Sequence, residues 1–225
     1  MPLYHAALAS KLETPLAVLN IGGVANVTWL DDNGKIIAFD CGPGNALIDD
    51  FVHVRTGNLY DAAGTLSLSG TVHDAVVNRM LANPYFDRPP PKSLDRNAFD
   101  ASGVATLSTA DGAATLAAFT VQAAARSLLK LGNPRQLLVC GGGRLNRGIM
   151  AGLAAALPDT EVAPVEKVGW RGDALEAEAF GYLAVRSLKG LPLSLPTTTG
   201  VPQPMPGGIY TPAPGRPSVS LAAAS

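Results

Sequence analysis

Two cysteines in 225 residues, Cys41 and Cys140, are too few and too far apart to build a disulfide framework, and each sits in a glycine-rich stretch. Neither shares a metal-like spacing with His5, His53 or His73, so both read as reduced packing residues and no metal site is assigned to the protein's own side chains. One-sided charge is missing as well. Seventeen Lys and Arg face eighteen Asp and Glu with no dense basic run, which argues against a nucleic-acid partner. The longest apolar stretches, near 116–131 and 149–157, are too short or too mixed to span a bilayer, so no membrane partner is expected either. The opening MPLYHAALAS lacks the charged start and long apolar core of a secretion signal, and a cytoplasmic location is expected. Nucleotide fingerprints of the GxGxxG and Walker A types are absent.

What is present is a regular succession of short apolar strands and glycine loops. Residues 17–21 (AVLNI), 25–30 (ANVTWL) and 35–40 (KIIAFD) predict a three-strand meander, with Gly22-Gly23 as its first bend and DDNG as its second. CGPGN then breaks the strand ahead of a helix over 46–55. Residues 57–110 read as an insertion with one helix near 72–81 and a proline-rich stretch, NPYFDRPPPKSLDR, that suits neither helix nor central strand. Regularity resumes with a helix over 112–131 and a strand at 136–140. The loop GGGRLN, a helix over 147–157, a strand at 161–165 and a helix over 173–188 follow. Residues 191–225, rich in Pro, Gly, Thr and Ser, predict a mostly irregular tail, and 1–16 an inter-lobe segment before a lobe over 17–190.

This order predicts an α/β, ribonuclease-H-like lobe: a mixed five-stranded sheet with an antiparallel meander on one side and parallel crossovers on the other. Loops FDCGPGN and VCGGGRLN then fall at the edge where open α/β sheets bind ligands. Gly22 and Gly23 suit either the approach of an anionic oxygen or a bend needing positive φ. Asp40 is placed to accept a proton from an attacking hydroxyl or to hold magnesium, and equally to hydrogen-bond the loop amides before the helix. Gly141, Gly142 and Gly143 allow a ring or phosphate to reach the backbone, or form a tight turn. Glu176 and Glu178 stand two apart in the first turns of the last helix. The helix dipole favours both, and they point some 200° apart, so only one can face a cleft. Lys92, Ser93 and Arg96 are either a cationic substrate loop or a solvated one.

The segments LNIGGVANVTWL, AFDCGPGNALIDDF, PPKSLDRNAF, LLVCGGGRLNRGIM and EAEAFGYLAVRSL, in this order, resemble the anhydro-N-acetylmuramic acid kinases of the acetate and sugar kinase, heat-shock chaperone and actin superfamily. The likeness runs from Leu19 to Pro212. It implies a two-lobe enzyme that uses ATP and Mg2+ to phosphorylate O6 of 1,6-anhydro-N-acetylmuramic acid while opening the anhydro bond, in cell-wall recycling. By motif, Gly22, Gly23 and Asn26 would serve the second phosphate loop, Gly141 to Gly143 and Asn146 the adenosine, and Asp40 the general base. Glu176, Lys92, Ser93 and Arg96 would contact the sugar, and the complete enzyme would be a homodimer. The family's Gly-Thr-Ser and Asp-Gly phosphate loop of the first lobe is absent from this sequence, and its Lys-Ser-Thr-Gly-Arg-Glu stretch stands here as Lys92 to Asn97. The chain alone is therefore expected to be inactive. A non-catalytic nucleotide-binding or dimerisation lobe, and a kinase of another amino sugar, are the alternatives.

Overall fold

The computed structural model describes residues 1–211. Strands β1 (Leu16–Ile21), β2 (Val24–Leu30) and β3 (Ile36–Pro43) form the meander. β4 (Gln136–Cys140) and β5 (Glu161–Pro164) extend it in parallel, giving the order β3-β2-β1-β4-β5. This is the mixed five-stranded sheet that the order of apolar segments implies. Because β1 and β3 both run antiparallel to β2, the carboxyl ends of β1, β3, β4 and β5 share one edge.

Alternation decides what covers each face. Ala17, Leu19 and Ile21 of β1 join Val27, Trp29 and Phe39 on one side. There they meet α2 (Ala46–Thr56), α4 (Asp74–Leu81), α6 (Arg147–Ala156) and the 21-residue α5 (Thr109–Leu129), whose Phe119 is fully buried. Leu16 and Val18 point the other way, with Leu138 and Cys140, toward α1 (Pro2–Leu8) and α7 (Leu175–Leu188). α3 (Thr65–Ser69) and the single-turn α8 (Pro196–Thr199) complete the set. Helix α5 starts where the Ser108 hydroxyl accepts the Asp111 amide at 3.1 Å. No helix among the described residues is long and apolar enough to cross a membrane.

Strand β3 departs from expectation. CGPGN does not break it at Asp40, since pairing continues to Pro43 through a bulge in which Asn26 faces Asp40 and Ala25 faces Gly42. Gly42 is required by packing: a Cβ there would lie 2.8 Å from the Ala123 Cβ of α5. As an outer strand of the sheet, β3 has part of its free side covered by other segments. The Asp40 amide donates to the Lys92 carbonyl at 3.0 Å, and the Thr197 hydroxyl of α8 donates to the Ile36 carbonyl.

Two regions carry more structure than their composition suggests. Residues 1–16 contain α1, which packs on α7 through Tyr4, and 57–110 contain α3, α4 and several 3-10 turns. Within 191–211 a single-turn helix and an isolated bridge between Ser194 and Met205 interrupt the irregular chain. The tail expectation for 212–225 lies outside the described residues, as does Pro212 at the end of the family likeness.

Candidate active site

The Gly22-Gly23 bend joins β1 to β2 at the carboxyl edge. Neither residue has positive φ, which removes that reason for glycine. Crowding does not supply one. A Cβ on Gly22 would find its nearest neighbour at 3.8 Å, and one on Gly23 would lie 3.6 Å from the Ala46 Cβ and 3.8 Å from the Arg96 Nε. The bend's carbonyls are occupied: Gly22 accepts the Asn45 amide at 2.7 Å, and Gly23 accepts those of Gly44 and Ala46 at 3.0 and 3.3 Å. Close approach instead demands glycine at 44, where a Cβ would fall 2.3 Å from the Gly22 carbonyl.

The triple-glycine loop behaves in the opposite way. Gly141 has φ +73 and a Cβ would lie 2.6 Å from the Ile21 carbonyl, while a Cβ on Gly143 would lie 2.4 Å from the Ile21 side chain. Packing against the end of β1 thus accounts for Gly141 and Gly143, as a tight turn would. Gly142 alone is exposed. Arg144 holds the loop from behind, donating to the Gly141 carbonyl at 3.0 Å, Glu166 at 2.8 Å and Asp173 at 2.7 Å. Asn146 is buried and caps α6, its Oδ1 accepting the Gly148 and Ile149 amides at 2.9 and 3.1 Å.

Gly142 and Asn146 line a cavity of about 570 Å³ with Asn45, Asp49, Tyr60 and Asp61. The backbone beside it is strained at Ala63, a non-glycine residue at φ 53. Burial, reinforced by the charges of Asp50 and Asp61, pushes the Asp49 carboxyl up to about 6 against the pull of Arg96.

A second cavity, of about 480 Å³, surrounds Asp40 and is lined by Asn26, Arg88, Lys92, Ser93 and, from the tail, Thr198 to Gly200. Asp40 does not bond the loop amides ahead of α2. Its Oδ2 accepts the Leu94 amide at 2.8 Å, and its carbonyl accepts the Tyr85 hydroxyl at 2.5 Å. Burial raises the carboxyl above the ordinary carboxylate range, partly offset by the Leu94 N–H. Lys92 is not a solvated loop residue: it is buried, its Nζ donating to the Tyr85 carbonyl at 3.0 Å and lying 4.4 Å from the Tyr85 ring centre. Burial lowers its affinity for a proton. Ser93 is exposed toward the cavity, whereas Arg96 pairs with Asp50 at 3.0 Å near Gly23 instead.

Of the two α7 acids, Glu178 is the half-buried one, accepting the Tyr4 hydroxyl at 2.9 Å and bonding Arg171. Glu176 is exposed and lines neither cavity, although its charge reaches the Met1 amine, next to cavity-lining Pro2. The structure therefore gathers Asp40, Asn26, Lys92 and Ser93 in one place and Gly142 and Asn146 in another. The Gly22-Gly23 bend lies between: Asn26 follows it by three residues, about 10 Å along the strand, and Asn45, bonded to Gly22, lines the far cavity. Asn45 sits inside AFDCGPGNALIDDF and Arg88 inside the proline-rich NPYFDRPPPKSLDR, and polarity beside glycine or proline was their only signal. Nothing in the tail's composition marks Thr198 to Gly200. No described residues form a cluster of three or more metal-ligating side chains.

A family model described as Anhydro-N-acetylmuramic acid kinase matches residues 1–213. The chain is 55% identical over 217 residues to the anhydro-N-acetylmuramic acid kinase of Acidiphilium cryptum, covering 95% of this chain and 60% of that protein. It is 54% identical over 215 residues to the same-named protein of Rhodospirillum rubrum, covering 95% and 57%. The chain thus spans less than two thirds of the length of these relatives. Among solved structures it is similar to an activator of 2-hydroxyisocaproyl-CoA dehydratase from Clostridium difficile with bound ADPNP. That likeness has 16% identity and a TM-score of 0.48, covering 82% of this chain and 68% of the other.

Proposed function

The chain belongs to the anhydro-N-acetylmuramic acid kinase family, and from that premise we propose that it forms one wall of a cleft in which ATP phosphorylates 1,6-anhydro-N-acetylmuramic acid. The observation that carries the reading is the line of three sites along the sheet edge: a polar cavity around Asp40, a two-glycine bend that packing does not require, and a cavity beside Gly142 and Asn146. A sugar, a phosphate chain and a nucleoside fit that line in that order.

In this proposal a water attacks C1 of the anhydro sugar and gives its proton to the free Oδ1 of Asp40, while Oδ2 stays fixed by Leu94. The C1–O6 bond breaks, O6 takes the γ-phosphoryl group, and the products are N-acetylmuramate 6-phosphate and ADP. A carboxyl raised by burial is a stronger base than an ordinary one. Asn26 and Ser93, whose side chains make no hydrogen bond among the described residues, orient sugar hydroxyls, and Glu176, outside the cavity lining, contributes its charge on the side of the Met1 amine. Lys92 holds the insertion against Asp40 through Tyr85. Backbone amides of the Gly22-Gly23 bend, with Arg96 above them, receive the phosphate. Magnesium would arrive on the triphosphate, keeping water and phosphate oxygens as ligands. The remaining part of the relatives' length would supply the opposite wall, including the first phosphate loop, and with it the pairing of two complete copies.

The test is a phosphorylation assay with ATP, magnesium and the anhydro sugar, on this chain alone and on this chain joined to the missing part of a relative. Turnover only in the joined protein, lost in Asp40→Asn, is the expected outcome. A folded joined protein that binds ATP but phosphorylates neither this sugar nor N-acetylglucosamine would replace the proposal with a non-catalytic lobe.

A further inference from the structure

The Asp40 cavity contains more cationic side chain than its own acids neutralise. Arg88 lines it and is exposed, and its side chain forms no ion pair or hydrogen bond among the described residues. Its neighbour Asp87 is committed elsewhere, to Arg126 at 2.5 Å and Lys130 at 3.3 Å. The Arg88 guanidinium is held above the Tyr85 ring, 5.7 Å from its centre, and its backbone is extended at φ −64 and ψ 136 ahead of three prolines. It is thus positioned by Tyr85 with its N–H groups unpaired among the described residues, on the loop that also delivers Lys92 and Ser93.

The other groups facing this cavity are differently engaged. The Lys92 ammonium is turned to the Tyr85 carbonyl. The Thr198 and Thr199 hydroxyls are turned back to the Leu195 carbonyl at 3.1 and 3.4 Å. Arg88 is the strong donor left to bind an anionic group, at the end of the cavity formed by the proline loop. The substrate of the proposed function is a sugar bearing a carboxylate, on a lactyl ether, that its unsubstituted counterpart lacks. Resting on that proposed function, we infer that Arg88 binds the substrate's carboxylate and is the residue by which this cleft prefers a carboxylate-bearing amino sugar over a neutral one. A guanidinium fork matches a carboxylate in a way that a lysine ammonium does not.

Titration of this chain, followed by ligand-observed and amide NMR, tests the inference with two probes: 1,6-anhydro-N-acetylmuramic acid and 1,6-anhydro-N-acetylglucosamine. The acid should bind tighter by roughly tenfold, the size of one partly exposed charge-assisted hydrogen-bonded pair. Arg88→Gln should remove that preference and leave the neutral sugar's affinity unchanged, while Arg88→Lys should keep part of it. Equal affinities in the wild type, or a preference that survives in Arg88→Gln, overturns the inference and leaves the sugar cleft standing. If neither sugar shifts any resonance around Asp40 up to its solubility limit, the sugar cleft falls, and the inference with it.

Discussion

The substitution Asp40→Asn keeps an oxygen where Oδ2 now accepts the Leu94 amide at 2.8 Å and removes only the negative charge. Burial holds the folded carboxyl above its unfolded value, so its protonated form is the one the fold favours. The associated stability is present below the unfolded value and is lost as pH rises through the folded one. Once the carboxyl is ionised its charge is therefore a cost that Asn does not carry, and Asp40→Asn should melt at the wild-type temperature or slightly above it. Asp40→Ala also removes the acceptor, leaving a half-buried amide unpaired at about 1–2 kcal/mol. For a chain of this size that lowers the melting temperature by about 2–8 °C. In the joined enzyme both variants should lose about 10²- to 10⁴-fold in kcat, the usual contribution of a positioned base. The wild-type acid limb of kcat/KM should sit above the ordinary carboxylate range. Calorimetry and a coupled ADP-release assay read the two effects separately. If Asp40→Asn destabilised as much as Asp40→Ala while kcat stayed within a few fold, Asp40 would be a structural acceptor and the assignment as base would fail.

Gly23→Ala should leave the folding free energy unchanged or more favourable by up to about 1 kcal/mol, because its Cβ meets nothing closer than 3.6 Å, yet it should weaken ATP binding measured by calorimetric titration. Gly143→Ala, with its Cβ 2.4 Å from Ile21, should instead destabilise by about 1–3 kcal/mol in urea unfolding. Asp49, raised to about 6, contributes stability below its unfolded value that is lost as pH rises toward 6. Because the group is half-exposed, Asp49→Asn should recover only about 1 kcal/mol at about pH 7 and none at about pH 3 in parallel melts. His5 is fully buried against the Thr28 hydroxyl at 2.9 Å, and burial lowers its value to about 3. Its contribution is present above the unfolded histidine value and falls by up to about 1.4 kcal/mol per pH unit between 6.5 and 3. Urea titrations across that range should show the slope in wild type and its loss in His5→Gln.

The sheet and its carboxyl edge were legible because alternation and glycine punctuation are local signals, and the strands over 17–30 and 136–140 carry both strongly. What the glycines are for was not legible. Gly22-Gly23 and Gly141 to Gly143 look alike as sequence, and only the position of Ile21 shows which are required by packing. The same limit applies to the insertion: Lys92 and Arg88 share a proline-rich, charged stretch, and only Tyr85 separates a buried ammonium from an exposed guanidinium. Helix α8 was unreadable because its seat is the Ile36 carbonyl, a partner 161 residues away.

That seat also bears on the chain's behaviour in crowded solution. An uncovered outer strand of Ile-Ile-Ala-Phe would offer backbone groups to any passing extended segment, a route to self-association. Here the Lys92 carbonyl and Thr197 hydroxyl fill part of that side of β3. Deleting residues 191–225 should then turn a monodisperse solution into one that aggregates on mild warming, and the damage would begin on the strand that carries Asp40.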